Sequence, residues 1–212
     1  MRLVCVADTH MFHDDFGALP EGDALVHAGD MGRAGGADEL SVVAAWLRAQ
    51  PHKHKIVIAG NHDWLFQGEP ERARELFAGL TYLEHEARVI DGVRFFGSPF
   101  TPVFYDWAFM LPRGAALADK WADIPAGLDV LITHGPPHGI LDDAARYRDG
   151  VDARGPRPAG CEALRDRVRI AKPRVHIFGH IHNNQGVVDD DGVRYVNCTT
   201  NESELPPVIV DV

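Results

Sequence analysis

The residues of this chain that could do chemistry are aspartates, histidines and one asparagine, gathered in five short clusters. The nine candidates are Asp8, His10, Asp30, Asn61, His62, Asp63, His134, His180 and His182. Carboxylates, amide oxygens and imidazoles bind metal ions, and imidazole also transfers protons near neutral pH. Because the set mixes oxygen with nitrogen and contains no thiolate, it favours manganese, iron, zinc or cobalt over magnesium or calcium, which prefer oxygen alone.

Seven of these candidates have the type and position expected of metal ligands: Asp8, His10, Asp30, Asn61, His134, His180 and His182. Seven protein groups are too many for one catalytic ion that keeps an open coordination position. They are about the number that two ions need when they share a bridging carboxylate. The sequence therefore predicts two divalent transition-metal ions as cofactors, with manganese expected first and iron, zinc or cobalt as alternatives.

Spacing within the clusters predicts how their side chains point. Asp8 and His10 are two residues apart, as are His180 and His182. In extended chain this spacing places both side chains of a pair on one face, so that Asp8 and His10 could bind one ion. Taken singly, the Asp8 cluster is also typical of a capped turn, and Gly60-Asn61-His62-Asp63 of a polar turn after a strand. Only the occurrence of all five clusters together indicates a site.

The elements that must position these clusters are strands, because each cluster follows an apolar run of strand length. The five strands are predicted at residues 2–7, 24–28, 55–59, 128–132 and 174–178. Side chains that follow different strands converge at one edge of an α/β sheet. His27 lies inside the second run and is predicted to be a hydrogen-bonded core residue. A crossover helix is predicted at 37–50, and Asp91-Gly92 and Asp191-Gly192 predict two hairpins.

Length, composition and charge limit the classes of protein to which this chain can belong. At 212 residues and without repeats, it is predicted to be one domain spanning residues 1–212. The formal net charge of -10 argues against duplex nucleic acid, since proteins that track phosphates need clustered Lys and Arg. No apolar run approaches the roughly 20 residues of a membrane span, and the N-terminus is too short for a signal peptide. A cytoplasmic protein is therefore expected, and its oligomeric state stays open.

The aromatic segment at residues 97–112 allows two interpretations. It carries five rings among its prolines: Phe100, Phe104, Tyr105, Trp107 and Phe109. In one interpretation it is a packed surface loop that covers the sheet edge. In the other, one or two of the rings wall the substrate site, where an aromatic leaving group could stack. Further along, residues 142–160 are rich in Arg, Asp, Gly and Pro and are predicted to form a lid.

The order of the five clusters resembles that of a known family. Asp-x-His, Gly-Asp, Gly-Asn-His-Asp, Thr-His-Gly and Gly-His-x-His are similar to the motifs of the calcineurin-like metallophosphoesterase superfamily, over nearly the whole chain. Gly97-Ser98-Pro99, Asp106-Trp107-Ala108-Phe109 and the runs at 131–137 and 178–182 further resemble the metallophosphoesterase-domain-containing group related to fetal-brain proteins. That group is associated with hydrolysis of phosphodiesters, including cyclic nucleotides. The resemblance implies an α/β fold of four layers, a two-sheet mixed β-sandwich flanked by helices.

The resemblance also implies a role for each candidate. One ion would have four ligands: Asp8, His10, Asp30 and His182. The other would have Asp30, Asn61, His134 and His180. Asp30 would then bridge the ions, and a hydroxide shared between them would attack phosphorus in line. His62 would protonate or electrostatically stabilise the departing oxygen, with Asp63 fixing the orientation of His62.

The function predicted on this basis is dinuclear, metal-dependent hydrolysis of small phosphodiesters, with cyclic nucleotides as candidates. The alternatives are a phosphomonoesterase or nuclease on the same metal site, and a metal-bound interaction module without activity. The acidic net charge weighs against the nuclease. Where protein phosphatases of the superfamily continue to an Asp-Arg pair, this chain has Met31-Gly32-Arg33, which argues against phosphoprotein substrates. The expected partner is a small phosphoester, and neither duplex nucleic acid nor a membrane.

Overall fold

Two mixed β-sheets packed face to face form the centre of the computed structural model, which describes residues 1–145 and 157–212. The strands are β1 (Arg2–Val6), β2 (Ala24–Ala28), β3 (His54–Ile58), β4 (Thr81–Tyr82), β5 (Glu86–Ile90), β6 (Val93–Ser98), β7 (Thr101–Pro102), β8 (Met110–Leu111), β9 (Val130–Thr133), β10 (Val175–Phe178), β11 (Gly186–Asp190), β12 (Val193–Asn197) and β13 (Val208–Asp211). The helices are α1 (Ala37–Ala49), α2 (Trp64–Gly68), α3 (Pro70–Leu76), α4 (Ala115–Trp121) and α5 (Glu162–Ala171), with 3₁₀ turns at His13–Phe16 and His182–Asn184.

The first sheet has the strand order β13-β1-β2-β3-β4, and the second has the order β11-β12-β10-β9-β6-β5. In the first sheet β1 to β4 are parallel and β13 pairs antiparallel with β1. In the second sheet β12, β10, β9 and β6 are parallel, and the hairpin partners β11 and β5 are antiparallel at the two edges. Strands β7 and β8 form a separate short pair. Within each sheet, the parallel strands therefore end at one edge.

Alternation along the strands divides the apolar residues among three cores. In β1, Leu3 and Cys5 face the other sheet, whereas Val4 and Val6 face outward, as the two-residue period of a strand requires. The outward face of the first sheet packs against α1, α2 and α3. The outward face of the second sheet packs against α4 and α5. The predicted four-layer fold, a two-sheet sandwich flanked by helices, is confirmed.

The strands predicted ahead of the polar clusters are all present, with ends shifted by two residues at most. The predicted crossover helix is α1, and both Asp-Gly hairpins form. The sequence pattern does not reveal α2 and α4, because helices of 5 and 7 residues are too short for a 3.6-residue period to show. Among the described residues, no helix is long and apolar enough to cross a bilayer. Most of the predicted lid, residues 146–156, lies outside the described residues.

Candidate metal centre

Five loops converge at the carboxyl ends of the parallel strands. Three follow β1, β2 and β3 of the first sheet, and two follow β9 and β10 of the second. Asp8 N–H donates to the Gly29 carbonyl at 3.0 Å, and Gly179 N–H donates to the His134 carbonyl at 2.9 Å. The two sheets are joined directly, since His180 N–H donates to the Asp8 carboxylate at 2.9 Å. Backbone hydrogen bonds thus hold the polar clusters together.

Several of the candidate ligands have left-handed backbone conformations. The angle φ is 56° at Asp8, 42° at His10, 56° at Asp30 and 68° at His180. Residues with a Cβ rarely adopt this conformation, which costs about 1 to 3 kcal/mol and persists only where the surroundings enforce it. The prediction that Asp8 and His10 project from extended chain is therefore wrong. The same prediction for His180 and His182 is also wrong, because His180 is left-handed and His182 begins a 3₁₀ turn.

Asp8, His10 and His182 form the first group of ligand atoms. Their nitrogen and oxygen atoms lie within 4.8 Å of one another, and His182 Nε2 is 3.8 Å from Asp8 Oδ1. His10 Nδ1 lies 3.0 Å from the Gly32 carbonyl oxygen and therefore donates a proton there. Nε2 of His10 is therefore the nitrogen that remains to bind a metal ion, and it lies 3.8 Å from Oδ2 of Asp30. Metal-binding histidines are commonly oriented by such a hydrogen bond from the other ring nitrogen.

Asp30, His134 and His180 form the second group of ligand atoms, again within 4.8 Å of one another. Oδ2 of Asp30 is 3.3 Å from His134 Nε2, and Oδ1 of Asn61 is 3.0 Å from the same nitrogen. Nδ1 of His134 donates to the Ala28 carbonyl at 2.9 Å, which is the same orienting contact that His10 makes. Asn61 therefore belongs with this second group.

Asp30 links the two groups. Its carboxylate belongs to the second group and also lies within 4.8 Å of ring nitrogens of His10 and His62. Oδ2 faces His10 on one side and His134 on the other, while Oδ1 accepts the backbone N–H of His62 at 2.8 Å. One carboxylate oxygen thus lies between imidazoles of both groups, as a bridging ligand requires.

The charges of the second group show whether cations fit there. Burial disfavours the Asp30 carboxylate, but His134 outweighs burial and holds the pKa of Asp30 well below its usual range. Burial likewise opposes charge on His134, yet Asp30 raises the pKa of His134 to about 9. Burial and the charge of His134 lower the pKa of His180 to about 4. A divalent cation would displace the proton on His134, because ligating histidines must be unprotonated at the ligand nitrogen. Two carboxylates, an amide and four imidazoles, already gathered in two groups, fit a pair of such cations.

Two glycines of the motifs make this close packing possible. A Cβ at Gly60 would lie 2.3 Å from Oδ1 of Asp30, and a Cβ at Gly179 would lie 2.5 Å from Oδ2 of Asp8. Both distances are far inside the separation of about 3.5 to 4.0 Å at which carbon atoms attract. A larger residue at either position would therefore push a carboxylate out of its group.

Asp63 does not orient the His62 ring, so that prediction is wrong. The Asp63 side chain is fully buried, and its carboxylate accepts the backbone N–H groups of Met31 and Gly32 at 3.0 Å each. His62 Nδ1 instead lies 2.6 Å from the Arg33 carbonyl oxygen, to which it donates. Asp63 therefore holds the loop after β2 against the loop after β3, and it acts on His62 only through the backbone.

A main pocket of about 500 Å³ opens onto both groups. The candidate ligands that line it are His10, Asp30, Asn61, His180 and His182. Phe104 and Trp107 also line this pocket, whereas Phe109 is buried in the outer core of the first sheet. Phe109 therefore fits the packed-loop interpretation, and Phe104 and Trp107 lie where the second interpretation requires rings to lie.

A second recess, of about 320 Å³, adjoins the main pocket. Three histidines line both spaces: His10, His62 and His182. Phe12, Arg33 and Glu202 complete the second recess. The Arg33 guanidinium lies over the Phe12 ring, 4.6 Å from its centroid, and Nε donates to the His10 carbonyl. These three histidines thus border both open spaces.

Several residues around these spaces are not marked by any motif. Arg113 and Asn201 line the main pocket from loops that carry no sequence signal. Asn201, Glu202 and Ser203 are three consecutive left-handed residues, with φ of 47°, 60° and 68°. Only the folding of distant segments brings them to the site, so sequence reasoning had no local pattern to find.

Comparison with known proteins identifies the family. Residues 1–184 match the family model described as calcineurin-like phosphoesterase. The whole chain aligns with 71% of human metallophosphoesterase domain-containing protein 1 at 39% identity, and with 81% of a UPF0046 protein of Caenorhabditis elegans at 33% identity. The structure of the phosphopantetheinyl hydrolase of Mycobacterium tuberculosis has the same fold, with a TM-score of 0.61 and 16% identity over 93% of this chain and 88% of that one. Because the family model covers most of the chain and both relatives align along all of it, the protein belongs to the calcineurin-like phosphoesterase family.

Proposed function

We propose that this protein is a dinuclear metal-dependent phosphodiesterase that hydrolyses small phosphodiesters. Its family gives the coarser statement, metal-dependent hydrolysis of phosphoester bonds. The finer statement is carried by the two spaces that His10, His62 and His182 border, of about 500 Å³ and 320 Å³. A phosphodiester has two substituents on phosphorus, and each can enter one space. A monoester would use only one of them.

The two groups of ligand atoms indicate which residues would hold the cations. One position would use Asp8, His10, Asp30 and His182. The other would use Asp30, Asn61, His134 and His180. When bound, such cations neutralise the phosphate charge and lower the pKa of the water that attacks phosphorus. Manganese is the expected metal and iron, zinc or cobalt are the alternatives, since the donors mix oxygen with imidazole nitrogen.

His62 would supply the proton that the leaving oxygen needs. Hydrolysis adds a water oxygen to phosphorus and breaks the bond to the leaving oxygen, which departs as an alcohol once it is protonated. Since Nδ1 of His62 donates to the Arg33 carbonyl, Nε2 is the nitrogen left for this transfer. The attacking water releases its proton to solvent, and His62 regains one from solvent before the next turnover. Asp63 contributes by holding together the two loops that carry Asp30 and His62.

Nucleoside cyclic phosphates are the small diesters that we expect the protein to prefer as substrates. Phe104 and Trp107 offer aromatic surface to the main pocket, and stacking of a base on an aromatic side chain contributes about 1 to 3 kcal/mol. The formal net charge of -10 disfavours extended polyanions, which leaves small nucleotides as the better fit. A cytoplasmic location remains part of this proposal.

Turnover by metal-reconstituted protein tests the proposal. We expect manganese-loaded protein to hydrolyse bis(4-nitrophenyl) phosphate faster than 4-nitrophenyl phosphate, and metal-free protein to hydrolyse neither. Cyclic nucleotides, linear dinucleotides and duplex DNA would then be compared under the same conditions. Faster turnover of the monoester would indicate a phosphomonoesterase, and preference for the duplex would indicate a nuclease. Bound metal without any turnover would indicate an interaction module.

A further inference from the structure

The His62 ring makes three contacts, and its backbone N–H makes a fourth. Nδ1 donates to the Arg33 carbonyl at 2.6 Å, and the His62 backbone N–H donates to Asp30 Oδ1 at 2.8 Å. One face of the ring stacks on Trp107, with 4.1 Å between ring centroids and 29° between planes. The edge contact with His10, at 4.7 Å and 76°, lies on the side of the metal-ligand groups. Among the described residues, Trp107 is the ring that stacks on a whole face of the His62 imidazole.

Trp107 is itself fixed by the two residues that follow it in the chain. The N–H of the next residue, Ala108, donates to the Asn61 carbonyl at 3.1 Å, and the N–H of Phe109 donates to Oε1 of Gln67 at 2.6 Å. Ala108 and Phe109 are buried. The segment from 107 to 109 is therefore docked on the loop and helix that follow β3, the same loop that carries His62.

The tip of the same loop is different. Phe104 is 61% exposed and Tyr105 is 79% exposed, and the two rings contact each other edge to face. Trp107 is held in place by the buried residues that follow it, whereas the residues directly beside Phe104 and Tyr105 are exposed. The aromatic segment thus has a fixed part against His62 and a tip directed to solvent, which makes Tyr105 a natural control.

We infer that Trp107 is a positioning residue for His62, whose indole face sets the plane of the imidazole so that Nε2 meets the leaving oxygen of the substrate. This inference rests on the proposed function, because His62 has a leaving oxygen to meet only if the protein cleaves phosphoesters. Proton transfer needs about 2.6 to 3.2 Å between heavy atoms, and a misplacement of about 1 Å can lower a rate 100-fold. Without the indole, the ring would keep only the hydrogen bond to the Arg33 carbonyl and the edge contact with His10, neither of which covers a ring face, and rotation about the hydrogen bond would move Nε2.

Trp107 could instead serve only as a wall for the substrate. In that case its removal would raise KM for diesters and leave kcat unchanged, because the wall would contact ground state and transition state alike. A positioning residue has the opposite signature, since it lowers kcat with little change in KM. Steady-state kinetics of Trp107→Leu therefore separates the two roles.

The first experiment measures turnover of methyl 4-nitrophenyl phosphate and methyl phenyl phosphate by the manganese-loaded protein. We expect Trp107→Leu to lower kcat about 10-fold, and more on the phenyl ester, whose leaving group depends more on a proton. Trp107→Phe keeps an aromatic face and should stay within about threefold of the original protein. Tyr105→Leu, on the same loop, should have no effect. In a His62→Asn background, Trp107→Leu should cause no further loss, because both changes remove one function.

Equal losses on the two esters, or a full further loss in the His62→Asn background, would overturn the inference. A second readout needs no turnover: side-chain ¹⁵N spectra of the zinc-loaded protein, with the His62 signals assigned by His62→Asn. We expect sharp His62 signals in the original protein and in Trp107→Phe, and broadened or shifted signals in Trp107→Leu. Unchanged signals in Trp107→Leu would overturn the positioning role even if the protein is a diesterase. Changed signals in a protein without turnover would remove the catalytic role and locate the failure in the proposed function.

Discussion

The two groups of ligand atoms share Asp30 but differ in how far they are enclosed. In the second group the His134 side chain is fully buried, whereas in the first group the His182 side chain is 33% exposed. His182 borders both the main pocket and the second recess. The first group is therefore more open to solvent at His182 than the second group is at His134, although the main pocket reaches both groups. A cation held by the first group should exchange faster than one held by the second.

The two groups have the same kind of buried hydrogen-bonded pair on the side that faces the core. A buried threonine next to a ligand contacts a buried histidine in each case. His27 Nε2 lies 3.0 Å from Thr9 Oγ1 behind the first group, which confirms His27 as a hydrogen-bonded core residue. Thr133 Oγ1 donates to the Gly135 carbonyl and therefore accepts from His176 Nε2 at 2.8 Å behind the second. The two groups thus differ in the solvent exposure of their ligands and not in the buried threonine–histidine pairs behind them.

The largest effect is expected from the residue that the groups share. Asp30→Ala should lower diester turnover by about 1,000-fold or more and reduce bound metal at both positions, because its carboxylate lies against imidazoles of each group. Metal analysis and turnover of bis(4-nitrophenyl) phosphate check this, with the exposed Asp119→Asn as control. Retention of two cations by the Asp30 variant would show that the groups are independent.

The difference in enclosure is tested by a matched pair of substitutions. His134→Asn keeps the donor to the Ala28 carbonyl but removes the ligand nitrogen from the core, which should abolish one cation site and cost about 1 to 3 kcal/mol of folding free energy. His182→Asn should weaken the other site with little change in Tm. Metal content after dialysis and thermal unfolding of both variants measure the two effects. Equal losses of Tm would contradict the contrast drawn between the groups.

His62 sharpens the comparison because it contacts the first group without being assigned to it. His62→Asn preserves a donor for the Arg33 carbonyl and should lower kcat about 100-fold while two cations remain bound. His54→Asn is the control, since His54 lies at the other end of β3. Loss of a cation in the His62 variant would make this residue a ligand and remove it as the acid.

The smallest effects concern the histidines behind the groups. Burial lowers the pKa of His27 and of His176 to about 3, against an ordinary value of 6.5. Between pH 6.5 and about 3 the unfolded chain binds more protons than the folded chain, so stability falls as pH falls, by about 1.4 kcal/mol per pH unit for each histidine. His176→Gln keeps the donor to Thr133 and should flatten this dependence by one such contribution.

Urea unfolding of the metal-free protein between pH 7 and pH 4 measures how the free energy of unfolding depends on pH, without interference from metal binding. Compared with the original protein, His27→Gln and His176→Gln should each show a weaker dependence of stability on pH, with the same cooperativity of unfolding. An equal decrease in this pH dependence in the two variants would show that His27 and His176 have equivalent roles behind the two groups. An unchanged slope in both would mean that neither histidine is held neutral in the folded state.

Much of the fold could be predicted because its signals are local. Apolar runs of strand length and Asp-Gly turns depend on neighbours in the sequence, so strands such as β2 and both hairpins follow from pattern alone. Backbone conformation inside the loops could not be predicted in this way. The extended geometry expected of Asp8 and His10 fails because hydrogen bonds from neighbouring loops hold both residues in left-handed conformations.

The sequence by itself determined which side chains are candidate metal ligands and which strands precede them, because donor type is a property of each residue and strand formation is local. Only the tertiary structure decided how those side chains associate. In the folded protein Asp63 accepts hydrogen bonds from the backbone of the loop after β2, and His62 contacts the Arg33 carbonyl and Trp107. His182 is partly exposed, whereas His134 is buried. These contacts join residues that are distant in the chain, so they depend on how two sheets and their loops pack and not on any pattern within one segment.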